Sequence, residues 1–243
     1  MKPVIILVLI FTVSFFNLSG QTATPPASGD GSESSPYQIA TLNNLYWLSQ
    51  NSTEWDKYFV QTTDIDASTT STWDDGDGGI ADGFSPIGNG TISFTGTYNG
   101  QDYTVSNLYI NRPTTDNVAL FGQITNATIN NLGVESADIT GHNNTGALIG
   151  FNNSGSSVSR CHSSGDINGV SGIGGLVGAS FAIVSECYST ANINATQHNN
   201  GGLIGYCKNA TTHNSYSRGS VTAGGNNIGG FIGVNDGGCT VEN

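Results

Sequence analysis

A five-residue cluster returns along this chain at nearly constant spacing, and nothing else in the sequence limits the fold so strongly. VALFG ends at Gly122, GALIG at Gly150, GGLVG at Gly178, GGLIG at Gly205 and GGFIG at Gly233, giving steps of 28, 28, 27 and 28 residues. Such a period means one structural unit stacked many times. The short β-branched runs between clusters are broken by Gly, Asn and Ser and cannot form helices, so each unit reads as one coil. The predicted fold is all-β: a right-handed parallel β-solenoid (β-helix) of about 27–28 residues per coil, with a short N-terminal helical cap.

Stacking the coils puts Leu120, Leu148, Leu176, Leu203 and Phe231 in one column and Phe121, Ile149, Val177, Ile204 and Ile232 in the next. Adjacent strand residues face opposite ways. Two neighbouring apolar columns therefore need either a corner between them or an outer stripe covered by something else. The polar column just before, Asn144, Gly172, Asn199 and Asn227, suits a partial ladder of stacked amides at a turn.

A second cluster accompanies the first: TINNL ending at Leu132, SVSRC at Cys161, IVSEC at Cys187 and TTHNS at Ser215, with TVSNL ending at Leu108 as an earlier copy. This alignment places Leu108, Leu132, Cys161, Cys187 and Ser215 in one inward column. Cys161 and Cys187 would stack there within disulfide reach, two free thiols filling the core being the favoured state. Cys207 and Cys239 occupy different offsets and have no evident partner.

Only 10 % of residues are charged, and six Lys and Arg against 18 Asp and Glu leave a net charge of -12. Binding to nucleic acid or to an anionic membrane surface is disfavoured by that balance. The regular apolar clusters argue against disorder, and the scarcity of helix-forming runs against bundles and coiled coils. Lys2, the apolar run from Val4 to Phe16 and the small residues Ser19 and Gly20 have the layout of a secretory signal peptide over residues 1–20. No cysteine lies near the cleavage region to carry a lipid anchor, so no membrane insertion of the mature chain is expected. Residues 21–35, rich in Gly, Pro, Ser and Thr, read as a flexible linker. Residues 36–84 read as an N-terminal cap and leader and residues 85–243 as the repeats, with Thr41 capping a short helix through Leu42, Leu45, Tyr46 and Ser49.

The recurring G-[GA]-[LF]-[IV]-G cluster resembles the GLUG motif repeats of bacterial secreted and cell-surface proteins. The upstream stretches PYQIATLNNLYWLSQ and FTGTYNGQDYTVSNLYI resemble the leader that often precedes those repeats. The resemblance covers about residues 36–243; the first copy departs from it with Val118 in place of Gly. It implies a β-solenoid in large surface proteins, some adhesin-like and some attached to peptidases, and it brings no shared catalytic site.

Candidate chemistry is sparse. Asp74, Asp75, Asp77 and Asp82 lie in a Gly-rich loop of the kind that hard cations such as Ca²⁺ favour, without the EF-hand spacing; a solvated acidic loop is the competing reading. No other cofactor is expected. Asp138 and Asp166 share an outward column on adjacent coils, a spacing that would suit a glycosidase pair, yet the column continues as Asn192 and Ser220, as a solvated polar ladder does. His142, His162, His198 and His213 stand singly, in what read as surface loops. The expected function is therefore a non-catalytic secreted or cell-surface repeat module, bacterial, for adhesion or for binding an extracellular glycan or protein. Its rivals are a β-helix polysaccharide lyase or glycoside hydrolase, for which only Arg112, Arg160, Lys208 and Arg218 could supply positive charge along the coils, and a stalk module of a larger surface enzyme. An ice-binding solenoid would need a flat threonine column, and none is visible in the sequence. The run GGCTVEN stops one residue before the Cys161 column, so an incomplete last coil, more repeats beyond Asn243 and end-to-end self-association are expected.

Overall fold

A computed structural model describes residues 21–74 and 79–242. The expected signal peptide lies outside the described residues. The described residues form a parallel β-solenoid whose strands make an eight-stranded, a nine-stranded and a five-stranded sheet, with two short two-stranded ones. All strand-to-strand pairings between coils are parallel, and the five Gly-ended clusters form the five-stranded sheet, with Ile149 paired to Phe121 on one side and Val177 on the other. Stacked coils place equivalent residues about 4.8 Å apart.

The two adjacent apolar columns are reconciled by a corner. The chain bends at Ala147 and Leu148 before the strand Ile149–Asn152 begins, and the amides of both Leu148 and Ile149 donate to the Leu176 carbonyl at 3.1 Å. Leu120, Leu148, Leu176 and Leu203 and their neighbours Phe121, Ile149, Val177 and Ile204 are all fully buried. Before this corner the backbone turns left-handed at Asn117, Asn144, Gly172, Asn199 and Asn227, a conformation that Asn and Gly tolerate best. The amide ladder exists in two pieces, Asn144 to Asn117 at 3.0 Å and Asn227 to Asn199 at 2.9 Å, with Gly172 as the gap.

The leader is built into the solenoid. Tyr37–Ile39 pairs in parallel with Tyr58–Gln61, which pairs with Thr97–Asn99, so the eight-stranded sheet runs without a break into the repeats. Helix α1 (Leu42–Gln50) is N-capped as expected, the Thr41 hydroxyl accepting from the Asn44 amide at 3.2 Å. It buries Leu45 and Leu48 against the end of the core, while Tyr46 packs on Trp73 and Phe84.

Several expectations need correction. The segment read as a flexible linker is docked from Thr24 onward: the Thr24 amide donates to the Asn43 carbonyl, Asp30 and Gly31 both donate to Ser35, and Gln38 donates to Ser28. Its turn-forming residues close a tight loop at the sheet edge rather than leaving the chain free. Leu108 does not join the Cys161 column either. Val105 pairs with Val134 and Ile110 with Ile139, which sets Leu108 level with Ala137. Asn107 and Asn131 both turn left-handed before a leucine, and that shared local shape made two different corners look alike.

Of the cysteines, Cys161 and Cys187 are the free thiols favoured above, whereas Cys207 and Cys239, for which no partner was evident, are joined. Cys161 and Cys187 are buried free thiols on adjacent coils, the Cys161 amide 3.4 Å from the Cys187 Sγ, and burial pushes the Cys161 thiol up. The disulfide joins Cys207 to Cys239, with Cα atoms 6.1 Å apart. Cys207 stacks on Asn235. From there Gly237 and Gly238, both with positive φ, turn the chain so that Cys239 sits level with Ala210, across a corner from Cys207. Repeat offsets compare residues in one column, whereas this bond crosses between two.

A threonine-rich column is present after all. The outer side of the eight-stranded sheet stacks Thr97, Thr128, Ser157 and Ile183, then Thr211 on Thr240. Ile183 interrupts it, and the next outward column is Asn99, Asn130, Ser159, Ser185 and His213, so the threonine surface is a single column wide.

Candidate functional site

The outward side of the nine-stranded sheet concentrates the chemistry. Its longest strands, Gly133–Thr140 and His162–Gly169, are paired along most of their length and present four outward columns. The first is Gly133, His162, Tyr188 and Tyr216. Ser163 and Ser189, one residue on, are fully buried, and strand alternation therefore turns His162 and Tyr188 outward. The rings stack along the axis, His162 on Tyr188 with centroids 5.0 Å apart at 7° and Tyr188 on Tyr216 at 5.1 Å and 3°. Tyr216 is 45 % exposed, and the Arg218 guanidinium lies 5.1 Å from its ring centre.

Glycine beneath the stack is required by it. A side chain at Gly133 would come within 2.6 Å of the His162 ring. A bulge between Ser163 and Gly165 sets two residues of the lower coil, Glu135 and Ser136, against Ser164. Glu135 then reaches the His162 Nε2 at 3.0 Å. His162 and His213 thus lie in strands, not in the loops expected for them; isolated histidines among Ser, Thr and Asn carry no period that would have shown this.

The third column is Tyr109, Asp138, Asp166 and Asn192. Asn192 donates to Asp166 at 3.1 Å, and the Ser220 hydroxyl donates to Asn192 at 2.9 Å. The polar ladder is thus present, and the two aspartates are neighbours on it. Asn168 and Asn194 continue the face in the fourth column, joined at 3.3 Å. Among the described residues no ion pair involves Asp138 or Asp166: Lys208 pairs with Asp236, Arg160 bonds Asn131 and Arg112 bonds Ser85. Partial burial, and secondarily the Asp166 charge, raise the Asp138 carboxyl above its ordinary value of 3.8.

That shift has a signed consequence for stability. A raised carboxyl pKa means that the unfolded chain gives up its proton first as pH rises past about 3.8, so the contribution to stability is complete below that pH and is lost as the pH climbs through the folded value. Asp138→Asn should therefore match the wild type at pH 3 and exceed it slightly at pH 7, by under about 1 kcal/mol because both carboxylates are exposed and screened. Urea melts at the two pH values measure this; an equal or lower midpoint at pH 7 would contradict it.

Asp75 and Asp77 lie outside the described residues, while Asp74 and Asp82 each have a partner of their own. Among the described residues no group of three or more His, Cys, Asp or Glu side chains converges as a metal site would, and no helix is long and apolar enough to cross a membrane.

No family model matches the chain. Over 165 residues it is 36 % identical to halomucin of Haloquadratum walsbyi, covering 65 % of this chain and 2 % of that protein. Over 160 residues it is 25 % identical to an immunoglobulin A1 protease of Streptococcus pneumoniae, covering 61 % of this chain and 8 % of that one. Among solved structures it is similar to a candidate immunoglobulin A1 protease from Bacteroides ovatus, with a TM-score of 0.67 at 20 % identity over 89 % of this chain and 66 % of the other. That likeness is one of fold. The chain spans only a small part of the two curated proteins it matches.

Proposed function

We propose that this chain is a secreted or cell-surface module of the GLUG-repeat type, bacterial and non-catalytic, which binds an extracellular glycan or protein through a repetitive face. The observation that carries this reading is the outward side of the nine-stranded sheet, where ring, carboxylate and amide columns run side by side over adjacent coils. The arrangement suits contact with an extended partner better than turnover. Two carboxylates with no cationic side chain paired to them lack the electrophilic help that a lyase gives its substrate. Glycan-array and protein-array binding of the purified chain, with and without Ca²⁺, tests the reading; turnover of a polysaccharide by wild type that disappears in Asp138→Asn or Asp166→Asn would replace it with the enzyme reading.

One observation favours a second form of the proposal. The matches to immunoglobulin A1 proteases cover a small part of the curated one and two thirds of the solved one, which supports a stalk module that carries or positions a separate catalytic domain.

A further inference from the structure

We infer that the ligand of this module is an uncharged polysaccharide lying along the solenoid axis against the ring column His162, Tyr188 and Tyr216, with the Asp166 and Asn192 ladder two columns away on the same face. The inference rests on the binding-module reading above and adds the face and the ligand class. Rings with parallel planes whose centres are 5.0 and 5.1 Å apart are in contact only if they are slipped sideways by about 3 Å, since touching carbons lie about 3.5–4 Å apart. Slipped rings overlap like roof tiles. A strip of each face is left uncovered, and the strip repeats once per coil.

An apolar strip of that kind takes the C–H face of a sugar ring, while the polar columns of the same face, Ser164 and Thr190 next to the rings and Asp166 and Asn192 beyond them, offer partners to its hydroxyls. Asp166 accepts, Asn192 both accepts and donates, and these groups recur with the same coil spacing as the rings. Charge decides between glycan classes. The face carries Glu135, Asp138 and Asp166 against Arg218 alone, on a chain of net charge -12, so uronate and sulfated polymers are repelled. A folded protein partner would need a larger apolar centre than this polar face offers.

Affinity electrophoresis of the full chain in native gels containing laminarin, mannan, xyloglucan, pectate or heparin tests the inference. At least one uncharged polymer should retard the wild type, with pectate and heparin inert. The Tyr188→Ala, Tyr216→Ala double variant should lose at least tenfold in affinity. Thr190→Arg, an exposed site on the same face whose substitution leaves the rings and core in place, should do the same, which keeps the result readable if the double variant folds poorly. Retardation that survives both changes overturns the assignment of the face while leaving the module reading intact. Stronger retardation by the anionic polymers, or binding to proteins alone, overturns the ligand class. No binding to any glycan or protein overturns this inference and the module reading together.

Discussion

Gly178→Ala is expected to cost about 3 kcal/mol or more, whereas Gly230→Ala, in the same motif two coils on, should change stability by under about 0.5 kcal/mol. A Cβ at Gly178 would lie 2.4 Å from the Asn144 carbonyl carbon, 2.6 Å from the Thr145 nitrogen and 2.7 Å from the Gly150 oxygen. All three are backbone atoms of an adjacent coil, and no side chain can move aside to relieve the clash. At Gly230 an added Cβ meets nothing within 4 Å. For a chain of this size the first change should lower the melting temperature by roughly 6–12 °C. Thermal melts of the two variants decide the matter: equal effects would mean that the coils are not packed as described.

Removing the Cys207–Cys239 bond should also produce a large loss, confined at first to the end of the solenoid. The bond closes a loop of 32 residues, for which chain entropy gives about 3–4 kcal/mol. It ties the strand Ile204–Lys208 to the turn that feeds Thr240–Glu242, so the last coil loses its fastening to the coil beneath. The Cys207→Ala, Cys239→Ala variant should melt earlier than wild type, and its amides from Ile232 to Glu242 should exchange with solvent well before those of the inner strands. Reductant should reproduce the effect in wild type. An unchanged melt together with unchanged exchange in the last coil would contradict the pairing.

These two cases also mark how far sequence reasoning reached. The period of the Gly-ended clusters was enough to place Leu148 on Leu176 and Asp138 beside Asp166, because stacking repeats identical steps and equivalent residues must meet. The same logic failed where the repeat is broken. Leu108 was misplaced because Asn107 and Asn131 make the same left-handed turn before a leucine at two different corners, and the threonine column went unseen because its members are spread over unlike words, TYN, TIN, SVS, IVS and TTH. Of the proposed ligand face, the aspartate ladder was legible. The ring stack was not, since His162, Tyr188 and Tyr216 are separated by 26 and 28 residues and share a column only once the strands are in register.

The sequence by itself determined the solenoid, its coil length, its two apolar columns and the capped helix at its start, since each follows from a local period or from a residue's own conformational preference. Only the tertiary structure decided which columns face one another. It chose a corner over a covered stripe at Leu148, joined Cys207 to Cys239 across two columns, docked residues 24–35 against the first strand and made glycine indispensable at 178 but not at 230. The physical reason is common to all four. Periodicity fixes what lies directly above and below a residue along the axis, whereas contacts across a corner depend on how sharply the backbone bends, and that is set by the close packing of chain segments remote in sequence.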